Sequence, residues 1–171
     1  MKKIVLIFGL VIGTILCANM VVMVNMIYSD TSYKGNDIVG YAAMVVLFSL
    51  IFFGIRNYRN NLLNGYISFG KAFKTGILIA FVASTIYVVV WLFYYYLFVP
   101  DFIDVYTSCV LRNCTAAELP AKTAEMANFK QMYKNPLFVV LITYAEVFPV
   151  GLVVAFVSAM ILKKTVKPDL K

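Results

Sequence analysis

The chain has 171 residues, of which 63% are apolar and 13% are charged, and its formal net charge is +7. A soluble domain of this length could not bury so many apolar side chains, so the composition excludes a soluble globular protein. The sequence contains no histidine, which removes the commonest transition-metal ligand and the usual proton carrier at neutral pH.

Four apolar stretches are each about as long as the ~20 helical residues that cross a ~30 Å hydrocarbon layer. They cover residues 4–28, 38–55, 72–98 and 136–162. Lys2 and Lys3 precede the first stretch, as in a signal peptide, but the apolar run exceeds the ~7–15 residues of a signal-peptide core, so we expect it to be retained. The sequence predicts an all-α membrane protein: residues 1–171 form one integral membrane domain with four antiparallel transmembrane helices.

The basic residues are distributed unevenly between the two ends of the predicted helices. If the helices alternate in direction, ten of the fifteen Lys and Arg residues fall on the side of both termini. These ten are Lys2, Lys3, Arg56, Arg59, Lys71, Lys74, Lys163, Lys164, Lys167 and Lys171. This positive-inside pattern predicts a multi-pass inner-membrane protein with both termini in the cytoplasm. Anionic lipid headgroups account for the basic excess, and we expect no nucleic-acid binding.

One short loop and one mixed apolar and polar segment connect the first three spans. Gly35 and Asn36 are turn formers within the short loop 29–37, which forces the first two helices into an antiparallel pair. Residues 62–75 alternate apolar and polar side chains. Two interpretations stay open: an interfacial segment with Phe69 and Phe73 at the lipid boundary, or the beginning of the third transmembrane helix.

Residues 99–135 are the predicted extracytoplasmic segment. The third span ends before it in an aromatic belt, which comprises Trp91, Tyr94, Tyr95, Tyr96 and Phe98. Thr115 and Glu118 have capping-box spacing. The apolar residues Met126, Phe129, Met132 and Tyr133 then share one helical face. The pattern predicts an amphipathic helix that lies on the membrane or over the mouth of the bundle, and Asn135 with Pro136 then begins the fourth span.

Several short runs resemble an uncharacterised bacterial inner-membrane family, domain of unknown function 4199. They are residues 58–60, 67–74, 100–101, 135–138 and 146–151, of which Asn-Pro at 135 and Glu-x-x-Pro-x-Gly at 146 are the most specific. The resemblance implies four membrane crossings and a bacterial origin. It implies no established activity.

Glu146 is the most informative residue of the fourth span. Ten residues from Pro136, at about 1.5 Å per residue, place it about 15 Å deep, where an ionised carboxylate costs at least a few kcal/mol. Pro149 removes the hydrogen bond to the carbonyl of Ala145 and loosens the backbone beside it. Three roles stay open: a neutral carboxyl that binds a neighbouring helix, part of an ion or proton pathway, and a contact with another subunit.

The possible partners of Glu146 are hydroxyl groups at similar depth. These are Thr14, Ser49, Ser84 and Thr85. Glu146 lies about 140° around the helix from Gly151, at 100° per residue. If the small residues pack inside the bundle, Glu146 must face a second helix or another subunit, which favours an oligomer or a broadly packed fourth helix.

Small residues form close-packing faces on three spans. They are Gly9 and Gly13 on the first span, Gly76 and Ala80 on the third, and Gly151, Ala155 and Ala159 on the fourth. Asn19 lies in the first span, where it either bonds a neighbouring helix or lines a solute path. Cys109 and Cys114 are a possible disulfide pair in an oxidising periplasm, whereas a metal site is not expected.

The sequence carries no catalytic constellation and implies no cofactor. It lacks a glycine-rich phosphate loop, and no two carboxylates share a span. We therefore expect a non-enzymatic protein that contacts membrane lipids and assembles with itself or with a larger membrane complex. The alternative hypothesis is a small oligomeric channel or transporter that uses Glu146.

Overall fold

The computed structural model describes residues 1–29 and 37–164. The predicted turn at Gly35 and Asn36, and the basic residues Lys167 and Lys171, lie outside the described residues. Within the described part, the chain forms seven helices: α1 (Lys2–Ser29), α2 (Asp37–Phe48), α3 (Leu50–Leu62), α4 (Phe69–Leu97), α5 (Phe102–Asn113), α6 (Leu119–Tyr133) and α7 (Pro136–Leu162). Four segments are long and apolar enough to cross a membrane, namely α1, α2 with α3, α4 and α7. The predicted all-α membrane fold is confirmed.

The second span is longer than predicted and ends at Leu62. Its polar residues continue the helix beyond the apolar stretch, because long side chains such as Arg56 and Arg59 can reach water from the end of a span. The chain then turns at Asn64 and Gly65, whose φ angles are 50° and 85°. Since α4 begins at Phe69, residues 69–75 are the start of this helix, whereas residues 63–68 precede it; the position of Phe69 and Phe73 at the lipid boundary stays a prediction.

The second span is broken at Ser49, between α2 and α3. The Ser49 hydroxyl donates to the Val46 carbonyl at 2.5 Å, and its backbone N–H is shared between the carbonyls of Val45 and Val46. Local bonding of this kind competes with the regular helix ladder and bends helices. The two halves have different neighbours: α3 packs against α1, α4 and α7, whereas α2 packs against α7 and α1.

The small residues bring three spans into close contact. Helix α4 packs along both α1 and α7. A Cβ atom added to Gly9 would lie 2.5 Å from Val82 Cγ1, and one added to Gly151 would lie 2.8 Å from Ala80 Cβ. All seven small residues named above are buried: Gly9, Gly13, Gly76, Ala80, Gly151, Ala155 and Ala159. The close-packing faces are therefore occupied by contacts within one chain.

Helices α5 and α6 form a cap over one end of the bundle, here termed the capped end. The predicted amphipathic helix corresponds to α6, which lies over the mouth of the bundle, whereas α5 was not predicted. The hydroxyl of Tyr28 donates to Asp101 at 2.8 Å, and Lys130 of α6 forms an ion pair with Asp104 of α5. The first bond connects the cap to α1, and the second connects α5 to α6 within the cap.

Candidate intramembrane site

A cavity of about 240 Å³ lies between the membrane spans and beneath the cap. Four spans and both cap helices contribute to it. Its lining comprises Asn19, Met20, Met23, Val24, Ile27, Gly40, Met44, Tyr87, Trp91, Phe102, Tyr106, Phe129, Tyr133, Thr143 and Glu146. We call this space the Glu146 cavity.

Three polar side chains lie at one level of the Glu146 cavity. Asn19, Tyr87 and Glu146 are each ten residues from the capped end of their own helix, counted from Ser29, Leu97 and Pro136 respectively. At about 1.5 Å per residue this is ~15 Å, half of a ~30 Å hydrocarbon layer. An amide, a phenol and a carboxyl therefore lie on three different helices near the middle of the membrane.

The cavity follows from the break in the second span at Ser49. On one side of the break α3 packs against α1, α4 and α7, whereas on the other side α2 leaves the space between these helices partly empty. Gly40 of α2 lines the cavity, and a Cβ atom built there would meet no atom within 4 Å. On α7, Thr143 and Val147 are buried, whereas Glu146 is exposed and lines the cavity. Glu146 is therefore accessible on α7, as are its neighbours Ala145 and Pro149, whereas the face with Thr143 and Val147 is packed.

Six aromatic side chains close the capped end of the cavity, and each contacts the next around a complete circuit. The ring centroids are 5.0 Å apart for Trp91 and Phe102, 5.8 Å for Phe102 and Tyr106, 6.4 Å for Tyr106 and Phe129, 4.7 Å for Phe129 and Tyr133, 5.4 Å for Tyr133 and Tyr95, and 5.8 Å for Tyr95 and Trp91. We call these six residues the aromatic circuit. All of them except Tyr95 line the cavity.

Trp91 and Tyr95 are buried, at 6% and 8% exposure, and so do not belong to an exposed aromatic belt. The belt prediction is wrong for these two residues because the cap covers the side of α4 that the sequence alone would leave at the headgroups. Tyr96 and Phe98 remain exposed. The capped end of α4 thus has one face in the aromatic circuit and another on the outside.

Tyr133 connects the cap electrostatically to the membrane carboxyl. Burial raises the pKa of Tyr133 to about 12, its hydrogen bond with Trp91 acts in the opposite direction, and the charge of Glu146 raises the pKa again. The phenol therefore stays protonated at neutral pH. Its side chain also has a hydrogen bond with Thr143 of α7, so Tyr133 lies at the boundary between α6 and the cavity.

The hydroxyl residues expected near Glu146 lie outside the described lining of its cavity. Thr85 pairs with the Tyr144 hydroxyl at 2.7 Å, Ser49 bonds its own helix and Thr14 is exposed. Ser84 is buried, and its hydroxyl has no hydrogen-bond partner among the described residues. The expectation was based on depth along each helix, which does not fix the rotation of the side chains. Pro149 is exposed and lies within a continuous α7.

The two cysteines of the cap, the possible disulfide pair, are not bonded to each other in the structure. Cys109 lies within α5 and is buried, whereas Cys114 follows the last residue of that helix and is half-buried. The Cys114 thiol donates to the Val110 carbonyl at 3.1 Å. Five helical residues separate the side chains by about 140° of rotation, so they point in different directions.

Sequence reasoning identified Asn19 and Glu146 but missed the aromatic part of the lining. Tyr87 could have been found by the same count from the end of its span that placed Glu146. Phe102, Tyr106 and Cys109 are spaced by four and three residues, which is a helical signal for α5. The contribution of the cap to the cavity depends on tertiary packing and has no such signal.

Comparison with known proteins identifies the family of the chain. The family model described as "Protein of unknown function (DUF4199)" matches residues 7–164. The chain belongs to this family. The match to DUF4199 extends over all the residues that line the Glu146 cavity. No curated protein and no solved structure matches the chain significantly.

Proposed function

We propose that this DUF4199 membrane protein is a small transporter in which Glu146 binds and releases the transported ion or solute. The observation that carries the proposal is an intramembrane carboxyl exposed to a cavity within its own chain. Ionisable residues inside spans are rare because they cost several kcal/mol, and they commonly mark ion or proton paths. Here the carboxyl has a space into which a ligand can enter.

The packing below the cavity favours a transporter over an open channel. Toward the other end of the bundle, Ile12, Phe48 and Ile79 are fully buried, at 0% exposure. Gly151 and Gly76 leave no room for even a Cβ atom between α4 and α7. Because the bundle is tightly packed below the cavity, transport requires a conformational change, as in alternating access.

We infer that the protein lies in the inner membrane with both termini in the cytoplasm. The basic residues at the end of the bundle opposite the cap support this orientation. The cap and the aromatic circuit then face the extracytoplasmic side. Membrane lipids are its first partners, and we propose no nucleic-acid partner and no enzymatic reaction.

Assembly with itself or with a larger membrane complex is the second candidate function. A groove of about 410 Å³ between the second span and α7 supports it, because two hydroxyl side chains, the exposed Ser49 and the buried Ser158, lie there among apolar residues. Hydroxyl groups at such positions bond neighbouring transmembrane helices. Glu146 itself no longer requires a second subunit, since it faces a cavity of its own chain.

Proton flux in liposomes tests the transport proposal. The purified chain is reconstituted with an internal pH dye, and a potassium gradient with valinomycin drives protons inward. We expect Glu146→Gln to abolish the pH-dependent flux, because the amide cannot exchange a proton. Glu125→Gln is the matched control, since Glu125 lies on the exposed side of α6 and pairs with Lys122.

The same variants separate the two candidate functions. If Glu146→Gln keeps the size of the complex in mild detergent while the flux is lost, transport is supported. If the variant dissociates a complex and leaves the flux unchanged, the assembly function is supported and the transport proposal is refuted.

A further inference from the structure

We infer that an anionic phospholipid binds in the groove between the second span and α7, at the end of the bundle opposite the cap. Its acyl chain lies in the groove, and its phosphate lies on four basic residues, here termed the basic cluster: Arg56, Arg59, Lys163 and Lys164. The inference is independent of the transport proposal, because the groove and the Glu146 cavity share no lining residue.

The two elements that form the groove also carry the basic cluster. Arg56 and Arg59 lie in the last part of α3, and Lys163 and Lys164 follow the last residue of α7. Nη1 of Arg59 donates to the carbonyl of Leu162 at 3.2 Å. This bond joins α3 to the end of α7, so the basic residues of both helices lie side by side.

The backbone fixes the position of Lys164 beside the turn between α3 and α4. Its N–H donates to the carbonyl of Ile67 and its carbonyl accepts from the Ile67 N–H, both at 2.9 Å. Nζ of Lys164 lies 5.4 Å from the ring centroid of Tyr66, within the distance at which a cation and an aromatic ring attract each other. Part of the basic cluster is therefore in place before a ligand arrives, which lowers the entropic cost of binding.

The basic cluster has an excess of positive charge. Both ion pairs found among the described residues belong to the cap and include no member of the cluster. Residues 38–100 and 147–168 contain no Asp or Glu. Asp169 is the one acid that the sequence assigns to this end, and it lies outside the described residues. One carboxylate cannot neutralise four cations, so the cluster favours an anionic ligand whether or not Asp169 pairs with one of them.

Arg59 has the chemistry for a phosphate group. Its guanidinium carries five N–H donors, and its bonds to Asn60 Oδ1 and to the Leu162 carbonyl use two of them. Guanidinium groups bind phosphate oxygens through two parallel hydrogen bonds, which are stronger than bonds between neutral groups. Arg59 can therefore bind a phosphate while it keeps its contact with α7.

The groove lies at the depth of an acyl chain. It has a volume of about 410 Å³, and its lining is mostly apolar: Val45, Phe52, Phe53, Val153, Val154 and Val157, with two serines. Phe53 precedes Arg59 by six residues and Val157 precedes Lys163 by six, which is about 9 Å along a helix at ~1.5 Å per residue. The polar layer between the membrane surface and the hydrocarbon core is about 5–8 Å thick on each side. A lipid with its phosphate at the basic cluster thus has its acyl chain at the groove.

The charge also favours a lipid over a second copy of this chain in the groove. Copies inserted in the same direction would bring two basic ends together, and like charges oppose such a contact. A zwitterionic lipid carries an ammonium group beside its phosphate, which the basic cluster repels. Phosphatidylglycerol carries the phosphate charge alone, and anionic headgroups attract Lys and Arg at the membrane surface.

Native mass spectrometry of the full chain in a neutral detergent tests the headgroup preference. Dioleoylphosphatidylglycerol and dioleoylphosphatidylcholine have the same acyl chains and differ in the charge of the headgroup. We expect one phosphatidylglycerol to bind at least about tenfold more tightly than phosphatidylcholine. Excess inorganic phosphate should not displace it, because a free phosphate does not fill the groove.

A charge variant locates the headgroup. Arg56→Gln combined with Lys163→Gln should reduce the preference for phosphatidylglycerol by about tenfold, since two of the four cations are lost. Both side chains are exposed, so the fold should be retained. Lys2→Gln combined with Lys3→Gln is the matched control, because it removes the same charge from α1, which does not line the groove.

A volume variant locates the acyl chain. Val157→Phe fills part of the groove and should weaken both lipids by a similar factor, so that the preference between them is kept. Met160→Phe is the matched control: the two residues are 49% and 46% exposed on the same helix, and Met160 lies outside the described lining.

Equal affinity for the two lipids on the unmodified chain would overturn the inference without any variant. Displacement of the lipid by inorganic phosphate would refute the role of the groove. An equal loss of preference in the Lys2 and Lys3 variant would refute a defined headgroup site. A dimer that Val157→Phe dissociates, with lipid binding unchanged, would assign the groove to a second copy of the chain.

Discussion

At the scale of single residues, the absence of a side chain at a few glycines sets the distances between helices. A Cβ atom on Gly76 would lie 2.8 Å from Ala155 Cβ and 3.2 Å from Ala155 Cα. Backbone and Cβ atoms cannot move aside as a flexible side chain can, so the two helices would have to separate. Without a strong hydrophobic driving force in lipid, this close packing is a main source of association between α4 and α7.

Gly76→Ala should therefore destabilise the bundle, by about 1–3 kcal/mol as for other overpacked cores. Gly40→Ala is the matched control, because a Cβ atom there meets nothing within 4 Å. The control should be neutral or slightly more stable, since Ala is the better helix former. Unfolding of each variant in sodium dodecyl sulfate, followed by circular dichroism, measures the difference. Equal stability of the two variants would contradict the contact.

Glu118 shows a second residue-scale effect, at the start of α6. The hydroxyl and the backbone N–H of Thr115 donate to Glu118 Oε2 at 2.7 Å and 3.1 Å, and these two bonds hold the pKa of Glu118 below its ordinary value. A lowered pKa means that the ionised form stabilises the fold. The contribution to stability is complete above the pKa that Glu118 has in the unfolded chain. It is lost as the pH falls through the lower pKa that Glu118 has in the folded protein.

Thr115→Ala removes the larger of the two causes, the hydroxyl donor, and should raise the pKa of Glu118 toward its ordinary value. A carboxyl NMR titration of the protein in detergent measures the change. Thr123→Ala is the control, because the Thr123 hydroxyl donates to the carbonyl of Leu119 and not to Glu118. A titration of Glu118 that is identical in both variants would refute the assigned hydrogen bond.

At the scale of elements, α6 is held in place by one apolar face. Met126 and Tyr133 are buried and Phe129 is half-buried, whereas Met132 is 39% exposed. Phe129 contacts Tyr106 of α5 and Tyr133 of its own helix. The cap thus depends on the same rings that close the cavity.

Phe129→Ala should loosen α6 while the membrane spans stay intact. Truncation of a partly buried ring is expected to cost about 1–3 kcal/mol, so amide hydrogen exchange should become faster in α6 and remain unchanged in α7. Met132→Ala, which removes a more exposed side chain from the same helix, is the control. Faster exchange throughout α7 in Phe129→Ala would mean that the cap and the bundle unfold as one unit.

The elements that were predicted well from the sequence are those fixed by one-dimensional properties. Apolar length locates the four spans, and the fourth has the predicted bounds, with the Asn135 side chain accepting from the Leu137 N–H at 3.0 Å. Depth along a helix also follows from counting, which places Glu146. Rotation and the path of the cap depend on tertiary packing. For this reason Trp91 was expected at the headgroups and the hydroxyls were expected near Glu146.

At the scale of the whole molecule, the proposed orientation gives a testable pattern of accessibility. Cys114 is half-buried in the cap, Cys109 is buried and Cys17 lies within α1. A maleimide that cannot cross membranes should label intact cells at Cys114, and Cys114→Ser should remove most of the labelling. Tags at both termini should become accessible only after permeabilisation. Accessibility of a single terminus in intact cells would contradict the even number of crossings.

The central claim is that Glu146 is a reachable carboxyl inside the membrane, and dicyclohexylcarbodiimide tests it most directly. This lipid-soluble reagent modifies protonated carboxyl groups in apolar surroundings. Among the glutamates Glu118, Glu125 and Glu146, peptide mass spectrometry should find the adduct on Glu146 alone. An unmodified Glu146 under conditions that modify Glu118 or Glu125 would contradict a reachable carboxyl in an intramembrane cavity.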